Sequence, residues 1–230
     1  MVDLKSEIAH ADKLFDEDKL EETIEYLKNL DQSNVQILWR LARAHYQLAK
    51  AVTNKYEKSE LIKNGFEYSS ESLKVDEKCA EANCFFACLL DAISELHGLR
   101  ERAMRLKDIK RHIVRSVELN PDFAVGQYAL GRFLYEIADL AWYKRKIVEA
   151  VFAKPPDASY EEALEHFLMA EKIEPDFYSI NKLMTAKSYI ALKDYASAKT
   201  FLIKAASIKI KNDEDEKCVK EAKLLLTKYN

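Results

Sequence analysis

Three short stretches of this 230-residue chain repeat one another: ESLKVDEKCAEA (71–82), RSVELNPDFAVG (115–126) and MAEKIEPDFYSI (169–180). Each reads as the end of one helix, a turn built on Asp, Asn or Glu, and the start of another. In two of them a proline, Pro121 or Pro175, stands where it cannot continue the first helix but suits the beginning of the second. A junction that recurs along a chain restricts it to stacked helical hairpins, because a lone hairpin cannot bury its apolar faces and must bury them against its neighbours. Composition agrees: only four glycines and four prolines accompany 33% charged and 48% hydrophobic residues. Sheet-rich folds need those two residues at their turns, so the expected fold class is all-α.

Between the junctions the residues follow the tetratricopeptide pattern. In the first helix of each hairpin a small residue follows an apolar one. In the second, small and large residues alternate so that two backbones can approach around a large side chain. The third repeat shows it best, with Leu130, Gly131 and Leu134, then Ala163, Phe167, Ala170 and Pro175. The fourth gives Ala186, Tyr189, Ala198, Leu202 and Ala205. The first gives Leu41, Ala42 and His45 with Gly65, Ser69 and Ser72, and the second Phe86, Ala87 and Leu90 with Ile109, Ile113 and Ser116. The expected architecture is a single domain, a helical-hairpin array or α-solenoid: a partial unit over 4–31, repeats over about 35–76, 79–121, 123–175 and 177–209, and a C-terminal capping helix over about 213–228 that starts at NDEDEK.

The spacing within repeats is uneven. From the small residue of the first helix to that of the second there are 12 residues in repeat four (Ala186 to Ala198), but 23 in repeat one (Ala42 to Gly65) and 22 in repeat two (Ala87 to Ile109). Ten or eleven extra residues are about three helical turns, so the early hairpins are predicted to be elongated. Repeat three has 32 (Gly131 to Ala163) and contains AWYKRKIVEAVFAKPP, residues 141–156. That segment is predicted to be a short helix from about Trp142 to Ala153, stopped by Lys154-Pro155-Pro156, with Trp142, Ile147, Val151 and Phe152 packed inward.

Nothing in the chain has the spacing of a catalytic or metal site. GQYALGRF copies the glycine spacing of a phosphate loop but carries Arg132-Phe133 where Lys-Ser/Thr is needed. Cys79, Cys84, Cys88 and Cys218 form no CxxC pair and read as small buried thiols. The histidines His10, His45, His97, His112 and His166 are scattered. The expectation is a non-enzyme without cofactor or metal. A net charge of −3 argues against nucleic acid, no apolar run approaches the ~20 residues that span a bilayer, and the N-terminus lacks the features of a leader; a cytoplasmic monomer is expected.

Two surfaces are candidates for binding. Around the small residues of the first helices, Trp39, Arg43 and Tyr46, then Tyr128, Arg132 and Tyr135, then Lys187 would face an inner groove. They suit an acidic peptide, or the aromatics are packing between repeats and the bases are solvated. The other surface is basic. Residues 100–115 hold Arg100, Arg102, Arg105, Lys107, Lys110, Arg111 and Arg115 against two acids, whereas residues 1–31 hold ten acids against four lysines. Several of these bases share an outer helix face, and Lys144, Arg145 and Lys146 form a second cluster in the inserted segment. Such faces are solvated, or they dock a polyanion.

ILWRLARAHYQLA, the inserted segment with its continuation DASYEEALEHFLMAEKIEPDFYSIN, and the long hairpins together resemble the regulator of microtubule dynamics family, over nearly the whole chain from about residue 30. With no membrane anchor in sight, the chain looks like a short soluble member. The resemblance implies association with microtubules, localisation at the spindle and its poles, and a part in chromosome segregation. It carries no residue-level tubulin motif, so the contact candidates rest on charge. Repeat four departs from the pattern, with Thr185-Ala186 in place of Leu-Gly.

Overall fold

The computed structural model describes residues 3–151 and 157–229, apart from the side chains of residues 142–144 and 151. The described residues form twelve α-helices and no strand, gathered in two compact units, Met1–Leu119 and Asn120–Asn230.

The first unit holds α1 (Leu4–Asp16), α2 (Leu20–Lys28), α3 (Val35–Ala51), α4 (Lys55–Val75), α5 (Ala80–Leu96) and α6 (Leu99–Leu119). Consecutive helices pack as antiparallel hairpins, α3 with α4 and α5 with α6, and α4 also packs on α5. The elongation read from the spacing is present. α3 and α4 span 17 and 21 residues, and α5 and α6 also span 17 and 21. The unstretched fourth hairpin has 13 and 12. The excess is about one turn in the first helix of each pair and about two and a half in the second. The turns are fixed locally: the Asn34 side chain accepts from Gln36 N–H at the start of α3, the Asn54 side chain from Tyr56 and Glu57 N–H at the start of α4, and the α5–α6 turn closes through Gly98 at φ 98°.

The second unit holds α7 (Ala124–Ala138), α8 (Trp142–Val151), α9 (Tyr160–Ile173), α10 (Ser179–Ala191), α11 (Tyr195–Ala206) and α12 (Asp213–Lys228). α7 pairs with α9 and α10 with α11, and α12 covers α11. The Asn212 side chain caps α12, and four acids in its first turn meet the positive end of the helix dipole, so the acidic run NDEDEK is a helix start. Ser159 caps α9 by accepting from Glu162 N–H.

α8 is the inserted segment, and it lies in the chain between α7 and α9, the two helices that pair as the third hairpin. At the base of the insertion the Tyr160 hydroxyl donates to Asp139 Oδ1 at 2.9 Å, and the Tyr135 and Tyr160 rings lie 5.4 Å apart. Burial and the Asp139 carboxylate push the Tyr160 hydroxyl up to about 12. Val148 of α8 is buried and Ile147 half-buried. The Trp142 and Val151 side chains, Phe152 and the proline stop lie outside the described residues.

The small positions are where packing is tightest. Ala42, Ala87, Ala163, Ala170, Ala186, Ala198 and Ala205 are wholly buried, as is Phe167. A Cβ added at Gly131 would lie 2.9 Å from two Phe167 ring carbons and 3.0 Å from the Ala163 carbonyl oxygen, so only glycine lets α7 and α9 close around that ring. The junction EPDFYSIN is a polar clamp. Asp176, in the left-handed region at φ 63°, accepts from the buried Lys182 ammonium at 2.7 Å. Asn181 donates to the Phe167 carbonyl at 3.0 Å, and the Tyr178 hydroxyl donates to Glu214 at 2.7 Å.

Burial lowers the proton affinity of three histidines. His45 Nδ1 donates to the Leu41 carbonyl at 2.9 Å. The Asn83 amide donates to the Glu77 and Cys79 carbonyls, which leaves its oxygen to accept from His112 Nδ1 at 2.9 Å. Gln127 repeats the arrangement in the next repeat, donating to the Pro121 carbonyl while its oxygen accepts from His166 Nδ1 at 2.7 Å. Desolvation lowers all three histidines from 6.5. A base whose folded value is depressed binds its proton more readily in the unfolded chain, so stability is complete above about pH 6.5 and declines as pH falls below it. The melting temperature is expected to be flat from pH 8 to 7 and to fall between pH 6.5 and 5, above the range where most carboxylates titrate. Thermal melts at four pH values check this; no change across that window would contradict it.

Candidate docking surface

α6 is a helix with two well-separated faces. Ala103, Leu106, Ile109, Ile113 and Ser116 are buried, and their three- and four-residue spacing turns this stripe inward. On the other side Arg100, Met104, Lys107, Arg111 and Arg115 recur at the same intervals, and all five are exposed. Fifteen residues of helix make this outward row about 22 Å long. Arg111 pairs with Asp108 at 3.1 Å and Arg115 with Glu118 at 3.4 Å. Both are pairs along one solvated helix, worth little and readily exchanged.

The other basic candidates are placed differently. Arg102 shares an outer face in the sequence reading, but in the structure its guanidinium turns onto α5. It donates two hydrogen bonds to Asp91, at 2.6 and 2.8 Å, with both side chains about three-quarters covered. This planar two-bond match ties the elongated hairpin together. Arg105 lies on a flank, 3.0 Å from Glu101, and Lys110 is half-buried. In the second unit Arg145 and Lys146 of α8 are exposed, while the Lys144 side chain lies outside the described residues.

The groove candidates are mostly engaged within the fold. Trp39 is buried and stacks on Phe85 with centroids 5.9 Å apart. Arg43 donates to Asp12 at 2.6 Å and lies over the Phe15 ring at 3.8 Å, and Arg40 grips the same carboxylate at 3.0 and 2.8 Å. Burial pushes the Asp12 carboxyl up, but the hydrogen bonds and charges of Arg40 and Arg43 outweigh it and hold the group below the usual range. Tyr46 is half-buried beside Lys50. In the second unit Tyr128 and Tyr135 are buried, and burial pushes both hydroxyls up. Arg132 bonds Glu136 at 2.9 Å, and Lys187 bonds Glu221 at 3.0 Å. Each base of the row already holds an internal carboxylate. Sequence reasoning missed Asp12, although a signal was present: it follows Ala11 as Arg43 follows Ala42, so the two occupy the same position in adjacent units.

Cys79, Cys84 and Cys218 are buried free thiols and Cys88 is half-buried; burial pushes Cys79 and Cys218 up to about 11, far from a reactive thiolate. Among the described residues no group of three or more His, Cys, Asp or Glu is placed to hold a metal, and no helix is long and apolar enough to cross a membrane.

Helical hairpins closed around small residues in each unit, with α12 covering the last of them, define a tetratricopeptide-type repeat protein. Among solved structures, a thermophilic tetratricopeptide protein of Thermus thermophilus superposes with a TM-score of 0.62 over 96% of this chain and 98% of its own, at 12% identity. That likeness concerns the fold alone. The chain belongs to the family described as Regulator of microtubule dynamics protein 1-3, whose sequence pattern matches residues 7–230. Regulator of microtubule dynamics protein 1 of Mus musculus is 32% identical over 222 residues, 96% of this chain and 73% of that protein. The Homo sapiens protein of the same name is 33% identical, over 84% of this chain and 62% of that protein. Regulator of microtubule dynamics protein 3 of Xenopus laevis is 33% identical over 78% of this chain, which covers 39% of its length.

Proposed function

We propose that this chain is a non-enzymatic, microtubule-associated scaffold that docks on acidic tubulin surface through the outward face of α6, and that it acts at the mitotic spindle in chromosome segregation. The observation that carries the reading is the outward row itself: Arg100, Lys107, Arg111 and Arg115 stand side by side on an exposed face about 22 Å long. The names of the relatives, regulators of microtubule dynamics, supply the polymer. The charge of the row supplies the mode of contact, since aligned bases steer association with an acidic surface. The exposed Arg145 and Lys146 of α8 are a second basic element for the same partner. Capture of an acidic peptide by Arg43, Arg132 and Lys187 has less support, because Arg43 is largely covered against Asp12 and Phe15 and the neighbouring Trp39, Tyr128 and Tyr135 are buried.

Cosedimentation of the purified chain with stabilised microtubules over a salt series tests the reading. Screening shortens from ~30 Å at 0.01 M salt to ~8 Å at 0.15 M, so binding is expected to be strong at low salt and to weaken steeply with added salt. Absence of binding at low salt would overturn the proposal.

A further inference from the structure

Beside the outward row, α6 and α5 frame a groove of about 360 Å³ within the first unit. Its floor is the apolar stripe Phe86, Leu90 and Ile93 of α5, three residues on one helix face, with Phe66 of α4 as a wall. The Phe66 and Phe86 rings lie 5.4 Å apart and the His112 ring 4.6 Å from Phe86, so the inner end is aromatic on three sides. The elongation contributes to the groove: the added turn of α5 extends this face beyond the buried Leu90 to the half-buried Ile93. Its rim carries mixed charge where it meets the outward row: Glu101 and Asp108 line it together with Arg105 and Arg111. Arg105 and Arg111 edge the groove, and Arg111 also belongs to the row. Their carboxylate partners, Glu101 and Asp108, lie on the same helix in exposed pairs that a ligand carboxylate can displace. Four apolar residues, Phe66, Phe86, Leu90 and Ile93, give a ligand side chain an apolar surface, and the rest of the lining is polar or charged.

We infer that this groove is an anchor site for an acidic segment of a partner protein bearing one aromatic side chain, which packs against the exposed edges of Phe66, Phe86 and Ile93 while flanking carboxylates exchange with Glu101 and Asp108 on Arg105 and Arg111. The inference rests on the proposed docking of acidic surface on α6 and deepens it, adding an apolar requirement to an electrostatic one. Charge complementarity selects the occupant: an uncharged apolar segment would leave the charge of the row unmatched, and a purely acidic one would leave the floor wet. The row brings the segment in, and the ring sets its register.

Changing the ligand rather than the fold gives the sharper test. Two labelled glutamate-rich decapeptides, identical except for a central Phe or Ala, are titrated against the full chain. Burying the ring is expected to make the Phe peptide bind about tenfold tighter or more. In Ile93→Glu, at a half-buried position on the groove floor, the Phe peptide should fall to the affinity of the Ala peptide. Equal affinity of both peptides for the unaltered chain, with strong salt dependence, would overturn the anchor and leave the docking reading standing. No binding of either peptide, together with intact microtubule cosedimentation, would also overturn the anchor alone. Loss of both peptide binding and cosedimentation would overturn the anchor and the docking reading together.

Discussion

Phe167→Ala is expected to lower the stability of the second unit by about 3–5 kcal/mol, the range for emptying a fully buried aromatic site. The ring is wholly buried, its carbons sit 2.9 Å from where a Gly131 Cβ would be, and Tyr128 lies 5.9 Å away. Gly131→Ala should also destabilise, by about 1–2 kcal/mol, since overpacking outweighs the helix-propensity gain of alanine. The double variant carries the diagnostic result. Removing the ring makes room for the new Cβ, so the combined loss should fall short of the sum by about 1 kcal/mol or more. Urea titrations of the four proteins measure this. Simple additivity would mean that Gly131 is not there to admit Phe167.

How much of this could be read from residues alone depends on whether the signal was local. The junctions, the small-residue positions and the capping helix were legible because each is a short motif with its own physical cause. Pro175 stops a helix, Gly131 admits a ring, and Asn212 accepts from Asp215 N–H at 3.0 Å. The elongated hairpins were legible as spacing, since extra residues between two fixed packing positions must go into helix. On α6 only the basic run was legible; which of its bases face outward follows from the buried stripe of Ala103, Leu106, Ile109 and Ile113, which the structure supplies.

What the sequence hid were pairings across helices. Arg102 and Arg100 look alike in a one-dimensional charge count, but only Arg102 turns onto Asp91, eleven residues earlier on another helix. Arg43 looked like a groove base because its partner, Asp12, lies 31 positions away. Trp39, Tyr128 and Tyr135 are amphipathic rings that serve packing and binding equally well in sequence, and the structure buries all three.

The central claim is that the outward row of α6 is the docking face, and charge reversal tests it most directly. Arg100, Lys107, Arg111 and Arg115 are all replaced by Glu. A control variant reverses four exposed lysines elsewhere in the first unit, Lys13, Lys19, Lys63 and Lys74, so that both carry the same net charge. Because all these side chains are exposed, both variants should keep the circular dichroism of the parent and lose only a few degrees of melting temperature. Cosedimentation with microtubules at low salt should then separate them. The account predicts that reversal of the α6 row weakens binding about tenfold or more, while the control binds nearly as the parent does. Equal binding by the α6 variant and the parent, or an equal loss in both variants, would contradict it.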